Sequence, residues 1–360
     1  MSALRVLAVV GARPNFVKIA PLMRAMARKP ALEPLLVHTG QHYDGPMSEQ
    51  FFDDLEIPRP AVNLGVGSGS HAVQTAEVMC RLEPVLEHLR PDLVLVVGDV
   101  NSTLAAALTA VKIGIEVAHV EAGLRSFDRT MPEEINRVVT DAVSRLLFVT
   151  EKSGLTNLLN EGADPRRIHV VGNVMIDALE ASRPRWTASP IFRRLGLDTR
   201  RPYAVVTLHR PSNVDDPASL AALLDALEKL AAHLPIVFPV HPRVRAALGR
   251  RGEGGVRYLD PMGYLDFVAL MSRARLVLTD SGGIQEETTI LGVPCLTLRD
   301  STERPVTVTH GTNRVIGADP GKIVHEALTS LEHPAAPPAP PPLWDGRAAE
   351  RIVEVLADGR

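Results

Sequence analysis

Three carboxylates stand where this chain should do chemistry. Asp99 follows the apolar run Leu93-Val-Leu-Val-Val-Gly98, Glu121 follows Val117-Ala-His-Val120, and Glu134 opens a helix after Pro132. Carboxylates that converge on one cleft raise each other's pKa and can divide acid and base roles. Glu133, in the same first turn, fits the simpler role of a helix-dipole partner. A second group is of another kind. Asp280-Ser-Gly-Gly-Ile-Gln-Glu-Glu287 turns on glycines out of an apolar run into a helix that ends at Gly292. Bare N–H groups and the helix dipole favour an anion at such a start. Glu286 or Glu287, one turn on, can reach sugar hydroxyls of the same ligand, so the pattern reads as a nucleotide-sugar site.

Cations and histidines follow other apolar runs. In Gly11-Ala-Arg-Pro-Asn-Phe-Val-Lys18, Pro14 starts a helix and puts Arg13 at its mouth, where a guanidinium can grip phosphate with two bonds. Lys18 lies over a turn further in and fits ordinary surface charge equally well. His209 follows a strand and can meet a diphosphate as a cation or transfer a proton. His241, in Pro239-Val-His-Pro242, has the same location but fits a turn cap as well. Gly65-Val-Gly-Ser-Gly69 reads as a mobile loop. The chain contains no G-x-G-x-x-G, H-E-x-x-H or G-x-S-x-G, and its two cysteines lack metal-ligand spacing. Neither a metal nor any other cofactor is expected.

The elements that position these residues are short Val/Leu/Ile runs alternating with helical patterns. The clearest runs are residues 5–10, 35–39, 93–97, 117–120, 146–150 and 168–171, then 203–208, 236–240, 276–279, 294–298 and 314–316. Strands apolar on both faces and separated by helices indicate an α/β fold of doubly wound parallel sheets. Ligands then sit beyond the carboxyl ends of the strands, where the residues above are found. The division into domains falls near Gly172-Asn173, giving 1–172, 173–342 and a final segment 343–360. Six prolines in residues 334–342 make an extended strap, and the short helix after it is expected to pack back on the first domain.

With 360 residues, a net charge of -3 and 4% aromatic content, the chain gives no electrostatic or stacking reason to expect nucleic acid or an anionic membrane. Cys80 and Cys295 read as buried small hydrophobes. The apolar N-terminus reads as a first strand rather than a signal peptide, so cytoplasm is the expected compartment.

Taken together the residues resemble the non-hydrolysing UDP-N-acetylglucosamine 2-epimerases. The specific blocks are His119-Val-Glu-Ala-Gly-Leu-Arg125, Met131-Pro-Glu-Glu-Ile-Asn-Arg137, Asp280 to Glu287 and Thr302-Glu-Arg-Pro305, in that order. The resemblance implies two Rossmann-like domains facing across a cleft (GT-B-like), a homodimer, and inversion at carbon 2 of a UDP-sugar through elimination and re-addition of UDP. It implies that Asp99, Glu121 and Glu134 are the acid–base carboxylates. Arg13, His209, Ser281, Gly282, Gly283 and Arg304 would hold the diphosphate, with His209 also a catalytic candidate. Glu287 would hold the ribose, Phe267 would lie near the uracil, and Lys18 would line the site. Gln41 and His241 match two positions of a second, activating substrate site, whereas Asp44 replaces a further glutamine. Asn15 departs from the glutamate common after Arg-Pro, and Met262 stands where some members have glutamine near the uracil. The sugar can therefore be plain or modified, such as a diacetamido uronic acid. A glycosyltransferase on the same fold is the reading from another reaction class.

Overall fold

The computed structural model describes residues 3–41, 51–240, 242–245, 248, 255–333 and 339–358. The chain forms two compact units, one of Met1–Ala181 with Pro342–Arg360 and one of Ser182–Pro341.

The first unit is built on a seven-stranded sheet of β1 (Leu4–Val10), β2 (Leu32–His38), β3 (Val62–Asn63), β4 (Leu93–Val97), β5 (Glu116–Ala122), β6 (Leu146–Val149) and β7 (Ile168–Val170). The strand order is β3-β2-β1-β4-β5-β6-β7, and every pairing is parallel. All five residues of β4 are buried, as expected of a central strand covered by helices on both faces. The order reverses between β1 and β4, which makes their carboxyl ends the topological switch point. The second unit repeats the design with six strands: β8 (Ala204–Thr207), β9 (Ile236–Pro239), β10 (Val256–Leu259), β11 (Leu276–Thr279), β12 (Cys295–Thr297) and β13 (Asn313–Val315). Its order is β10-β9-β8-β11-β12-β13, again parallel, with the switch between β8 and β11. Leu223, Leu227, Phe238, Leu278 and Leu296 belong to its core.

The two strands that the sequence pattern does not announce, β3 and β10, each close one end of a sheet. An edge strand has one partner and is only partly covered, so its residues need not be uniformly apolar. The division between the units falls after Ala181, nine residues later than the glycine at 172 suggests. The helix Val174–Ala181 belongs to the first unit because it packs on the helix Arg13–Ala27. The final helix, Ala348–Asp358, packs on both. Its first N–H groups, at Ala348 and Ala349, donate to the Asp177 carboxylate at 3.1 and 2.6 Å. The Trp344 indole, just before it, donates to the Thr150 carbonyl at 3.0 Å. Residues 334–338 of the proline strap lie outside the described residues.

Two local expectations change. The glycine-rich stretch at 65–69 is tied down: Val66 and Gly67 donate to the Thr39 and Gly40 carbonyls, and the Gln74 amide donates to the Gly67 carbonyl. Cys295 is buried in β12, but Cys80 is exposed. The helix His71–Leu89 buries Gln74, Val78, Leu82 and Leu86, a stripe of i+4 spacing that leaves position 80 on another face. Among the described residues no helix is long and apolar enough to cross a membrane.

Candidate active site

In the first unit, the carboxyl ends of β4 and β5 and the start of the helix Pro132–Val143 hold the three carboxylates in two ion-paired groups: Asp99 with Glu134 through Arg137, and Glu121 with Lys18. Arg137 is the hub. Its Nε and Nη2 donate to Asp99 Oδ2 at 3.1 and 2.8 Å, and its Nη1 donates to Glu134 Oε2 at 2.5 Å. Glu134 and Arg137 are three residues apart on one helix and so share a face. Asn136, beside them, donates to the Asp99 backbone carbonyl at 2.8 Å.

Glu121 is delivered by an irregularity in β5. The pairing with β6 shifts register between Val120 and Ala122, and Glu121, the extra residue, has φ +80°. A bulge of this kind re-aims a side chain at the end of a strand. The Glu121 side chain is 3% exposed and pairs with the buried ammonium of Lys18. Gly98 (φ +69°) leaves the necessary space, since a Cβ there would lie 2.9 Å from Lys18 Nζ and 3.2 Å from Glu121 Oε2. Lys18 is therefore a buried counter-ion rather than surface charge. Asn15 donates to the Val97 carbonyl and accepts from the N–H groups of Gly11 and Ala12, so it shapes the turn that presents Arg13. Arg13 is the first residue of its helix and is half-buried.

The three carboxylates are not equivalent. The Asp99 side chain is 21% exposed, against 2% for Glu134. Glu134 accepts from the Ser126 N–H and hydroxyl, the Phe127 N–H and Arg137, four bonds on two oxygens. Asp99 is the carboxylate a substrate can reach directly.

The second unit presents a helix start suited to an anion at the switch between β8 and β11. The helix Gly282–Leu291 starts after Ser281, whose side chain makes no capping bond, so the first N–H groups are left for a ligand. Arg304 lies against this start: a Cβ on Gly282 would come within 2.5 Å of its Nη1. Its guanidinium donates to Glu286 Oε1 at 2.7 Å and to Glu303 Oε1 at 2.9 Å, which makes Glu286 the support of an arginine rather than a sugar contact. His209, after β8, keeps 44% side-chain exposure while its Nδ1 lies 2.8 Å from Asp280 Oδ1. Asp280 is fully buried and also accepts from the N–H groups of His209 and Arg210 and from the Asn213 amide. Burial alone would raise the Asp280 carboxyl, but the His209 ring and the two backbone donors outweigh it and hold the group below the usual carboxylate range.

Glu287 is 3% exposed and accepts a 2.9 Å bond from the Tyr264 hydroxyl. Burial, opposed by that bond and reinforced by the neighbouring charge of Glu286, pushes the Glu287 carboxyl up to about 8. Phe267 stands three residues after Tyr264 on the helix Tyr264–Ser272 and is half-buried. Gly283 is the second residue of the helix Gly282–Leu291. Gln41 is buried, and its Oε1 accepts from the Ser102 N–H and hydroxyl at 3.2 and 2.7 Å. His241 and Asp44 lie outside the described residues.

Arg137, Asp280 and Tyr264 carry no role in the reading of the sequence. For Arg137 a signal existed, since it stands one helical turn after Glu134. Asp280 opens the stretch read as an anion-binding turn, but it and Tyr264 act through partners 71 and 23 residues away in the chain, and no local pattern announces those pairings.

The family described as UDP-N-acetylglucosamine 2-epimerase matches residues 24–357. A UDP-2,3-diacetamido-2,3-dideoxy-D-glucuronate 2-epimerase of Pseudomonas aeruginosa is 42% identical, over 98% of this chain and 99% of its own. A UDP-N-acetylglucosamine 2-epimerase of Methanocaldococcus jannaschii is 40% identical over 98% of each. The crystal structure of the Methanocaldococcus jannaschii enzyme in complex with UDP-GlcNAc and UDP superimposes with a TM-score of 0.90 at 39% identity, covering 98% of this chain and 99% of the other. That of the Neisseria meningitidis UDP-GlcNAc 2-epimerase bound to UDP-GlcNAc gives 0.91 at 32% identity, with the same coverage.

Proposed function

The chain belongs to the UDP-N-acetylglucosamine 2-epimerase family, and from that membership and the carboxylate cluster we propose that it interconverts UDP-N-acetylglucosamine and UDP-N-acetylmannosamine. The observation that carries the reading is the gathering of Asp99, Glu121 and Glu134 around Arg137 and Lys18 at the carboxyl ends of β4 and β5.

The hydrogen at carbon 2 is not acidic, so its removal has to accompany departure of UDP. The second unit supplies groups suited to that leaving group: the N–H groups of the helix start after Ser281, the Arg304 guanidinium and the exposed ring of His209. In the first unit Arg13, at the mouth of its helix, is a further cation suited to phosphate. Preorganised donors aimed at developing charge can each lower a barrier by roughly 3 kcal/mol. Glu287, protonated below about pH 8, can donate to a ribose oxygen while Tyr264 holds its other oxygen. The first unit supplies the proton carriers. Asp99, reachable from solvent, takes or returns the carbon 2 proton. Glu121 and Glu134 are the further acid–base groups, with Lys18 and Arg137 stabilising their anions. The intermediate is a glycal, to which UDP adds back after the proton returns on the opposite face. This reading places the enzyme in the cytoplasm as a homodimer.

A modified sugar is the second reading, favoured by one observation: the relative that acts on a diacetamido glucuronate is as similar as the one that acts on UDP-N-acetylglucosamine. Turnover of the two UDP-sugars side by side decides between them. The mechanism is tested in heavy water with UDP-N-acetylglucosamine. Deuterium is expected at carbon 2 of both the product and the recovered substrate, and its absence during turnover would sink the proton-transfer scheme. Asp99→Asn is expected to lower turnover by on the order of 10²- to 10⁴-fold, the usual contribution of a general acid–base group, with UDP affinity little changed.

A further inference from the structure

Glu121 holds a left-handed backbone conformation, φ +80°, that residues with a Cβ rarely adopt and that persists only where the surroundings impose it. A single buried carboxylate on another element binds the chain on both sides of it. Asp141, near the end of the helix Pro132–Val143, is 4% exposed and binds three groups from the segment around the bulge. His119 Nδ1 lies 2.6 Å from its Oδ1, and the Gly123 N–H and Arg125 Nη1 lie 3.0 and 2.7 Å from its Oδ2. These partners stand two residues before Glu121, two after it and four after it.

The clamp reaches further at both ends. His119 Nε2 lies 2.9 Å from the Gly98 carbonyl, the residue immediately before Asp99. With a carbonyl on one ring nitrogen and a carboxylate on the other, His119 meets both partners fully only as a double donor. Arg125 is anchored in turn by two bonds to Glu161, at 2.8 and 2.6 Å. Gly123 (φ +81°) has no room for a side chain, since a Cβ would lie 2.4 Å from the Gly154 carbonyl oxygen. Burial would raise the Asp141 carboxyl, but the His119 charge and hydrogen bond, together with Arg125 and Gly123, outweigh it and favour the anion.

None of these groups has a part in the chemistry above, and an apolar cluster of the same volume would stabilise the unit as well or better. Their bonds all converge on the flanks of two acid–base residues. We propose that Asp141 is a positioning residue: through His119, Gly123 and Arg125 it holds the bulge that aims Glu121, and through His119 it fixes Gly98 beside Asp99. The proposal rests on the acid–base reading of Glu121 and Asp99.

The test is Asp141→Asn, compared with Glu121→Gln and the double variant. Misplacing a reacting group by about 1 Å can reduce a rate by on the order of 100-fold, and a loss of that size in kcat is expected with KM and UDP affinity within about 2-fold. Because Asp141 acts chiefly through Glu121, and on Asp99 only by way of the single His119 bond to the Gly98 carbonyl, adding Asp141→Asn to Glu121→Gln is expected to change residual carbon 2 exchange less than Asp141→Asn does alone. A folded Asp141→Asn with wild-type kcat, or an equal loss in both backgrounds, overturns the proposal. If Asp141→Asn does not fold, His119→Gln, which leaves Asp141 paired with Arg125, is read by the same measurements and the same criteria. A crystal structure of the folded variant separates this failure from failure of the acid–base reading. Glu121 keeping φ near +80° and its Lys18 contact overturns the clamp whatever Glu121 does, whereas wild-type turnover by Glu121→Gln overturns only the role of Glu121.

Discussion

Asp280 holds His209 at two points: its Oδ1 lies 2.8 Å from the imidazole Nδ1, and its Oδ2 accepts the His209 backbone N–H at 3.0 Å. One buried carboxylate thus sets both the place of the loop after β8 and the direction in which Nε2 of the ring faces. Asp280→Asn is expected to weaken UDP binding about 10-fold, the usual scale for losing a charge-assisted bond. Calorimetric titration with UDP checks it, and the change should add little to a His209→Asn variant if Asp280 acts through the ring. The carboxyl is held below its unfolded pKa, so the folded state binds fewer protons. Its stabilisation is therefore complete above about pH 4 and fades only as the pH falls further. The stability gap between the wild type and Asp280→Asn should be full at neutral pH and narrow under strong acid.

Lys18 and Glu121 form an ion pair with side chains 6% and 3% exposed. Removing one member of a buried pair leaves an uncompensated charge, which typically destabilises by about 3–5 kcal/mol. Lys18→Met is expected to show a loss of that order in urea unfolding. Lys18→Met combined with Glu121→Gln should recover most of the stability and remain inactive. A single variant as stable as the wild type would show that Glu121 is not held as an anion.

Gly282 has no space for a methyl group, because Arg304 Nη1 and Cζ would lie 2.5 and 2.9 Å from it. Arg304 cannot simply swing aside, being bonded to Glu286 and Glu303. Gly282→Ala should therefore displace the guanidinium and lower UDP affinity by about 10- to 100-fold, the equivalent of one or two charge-assisted bonds. Equilibrium binding measures this, and Gly283→Ala, at a position that is not fully buried, is the comparison.

Glu287 titrates near 8 when folded against 4.5 for a free glutamate. The folded state then holds a proton that the unfolded state has released, so stability falls as pH rises from about 4.5 to 8. Glu287→Gln keeps the shape of the neutral acid and cannot ionise. The variant is expected to lose the pH slope and to melt above the wild type at pH 9, each kcal/mol moving the midpoint by roughly 2–4 °C for a unit of this size. Tyr264→Phe should carry the slope to higher pH, since the hydroxyl bond is what moderates the Glu287 shift. Thermal melts from pH 5 to 9 on the three proteins decide.

The alternation of buried apolar runs with helices was enough to determine two parallel-sheet units, because a strand covered on both faces has no freedom to be polar. The same logic placed Asp99, Glu121, His209 and Ser281 at strand ends. It stopped at the sheet edges, where β3 and β10 need not be uniformly apolar, and at the end of the first unit, where packing decides that the helix Val174–Ala181 belongs to the sheet before it. Only the tertiary structure decided which charges meet. Lys18 finds Glu121 across 103 residues, Arg137 finds Asp99 across 38, and Asp280 finds His209 across 71. A charged pair carries no periodic signature, since either partner alone reads as an ordinary polar residue. Burial turns each pair into a constraint, and the bulge at Glu121 lies where β5 pairs with β6 and where Asp141 binds the residues on either side.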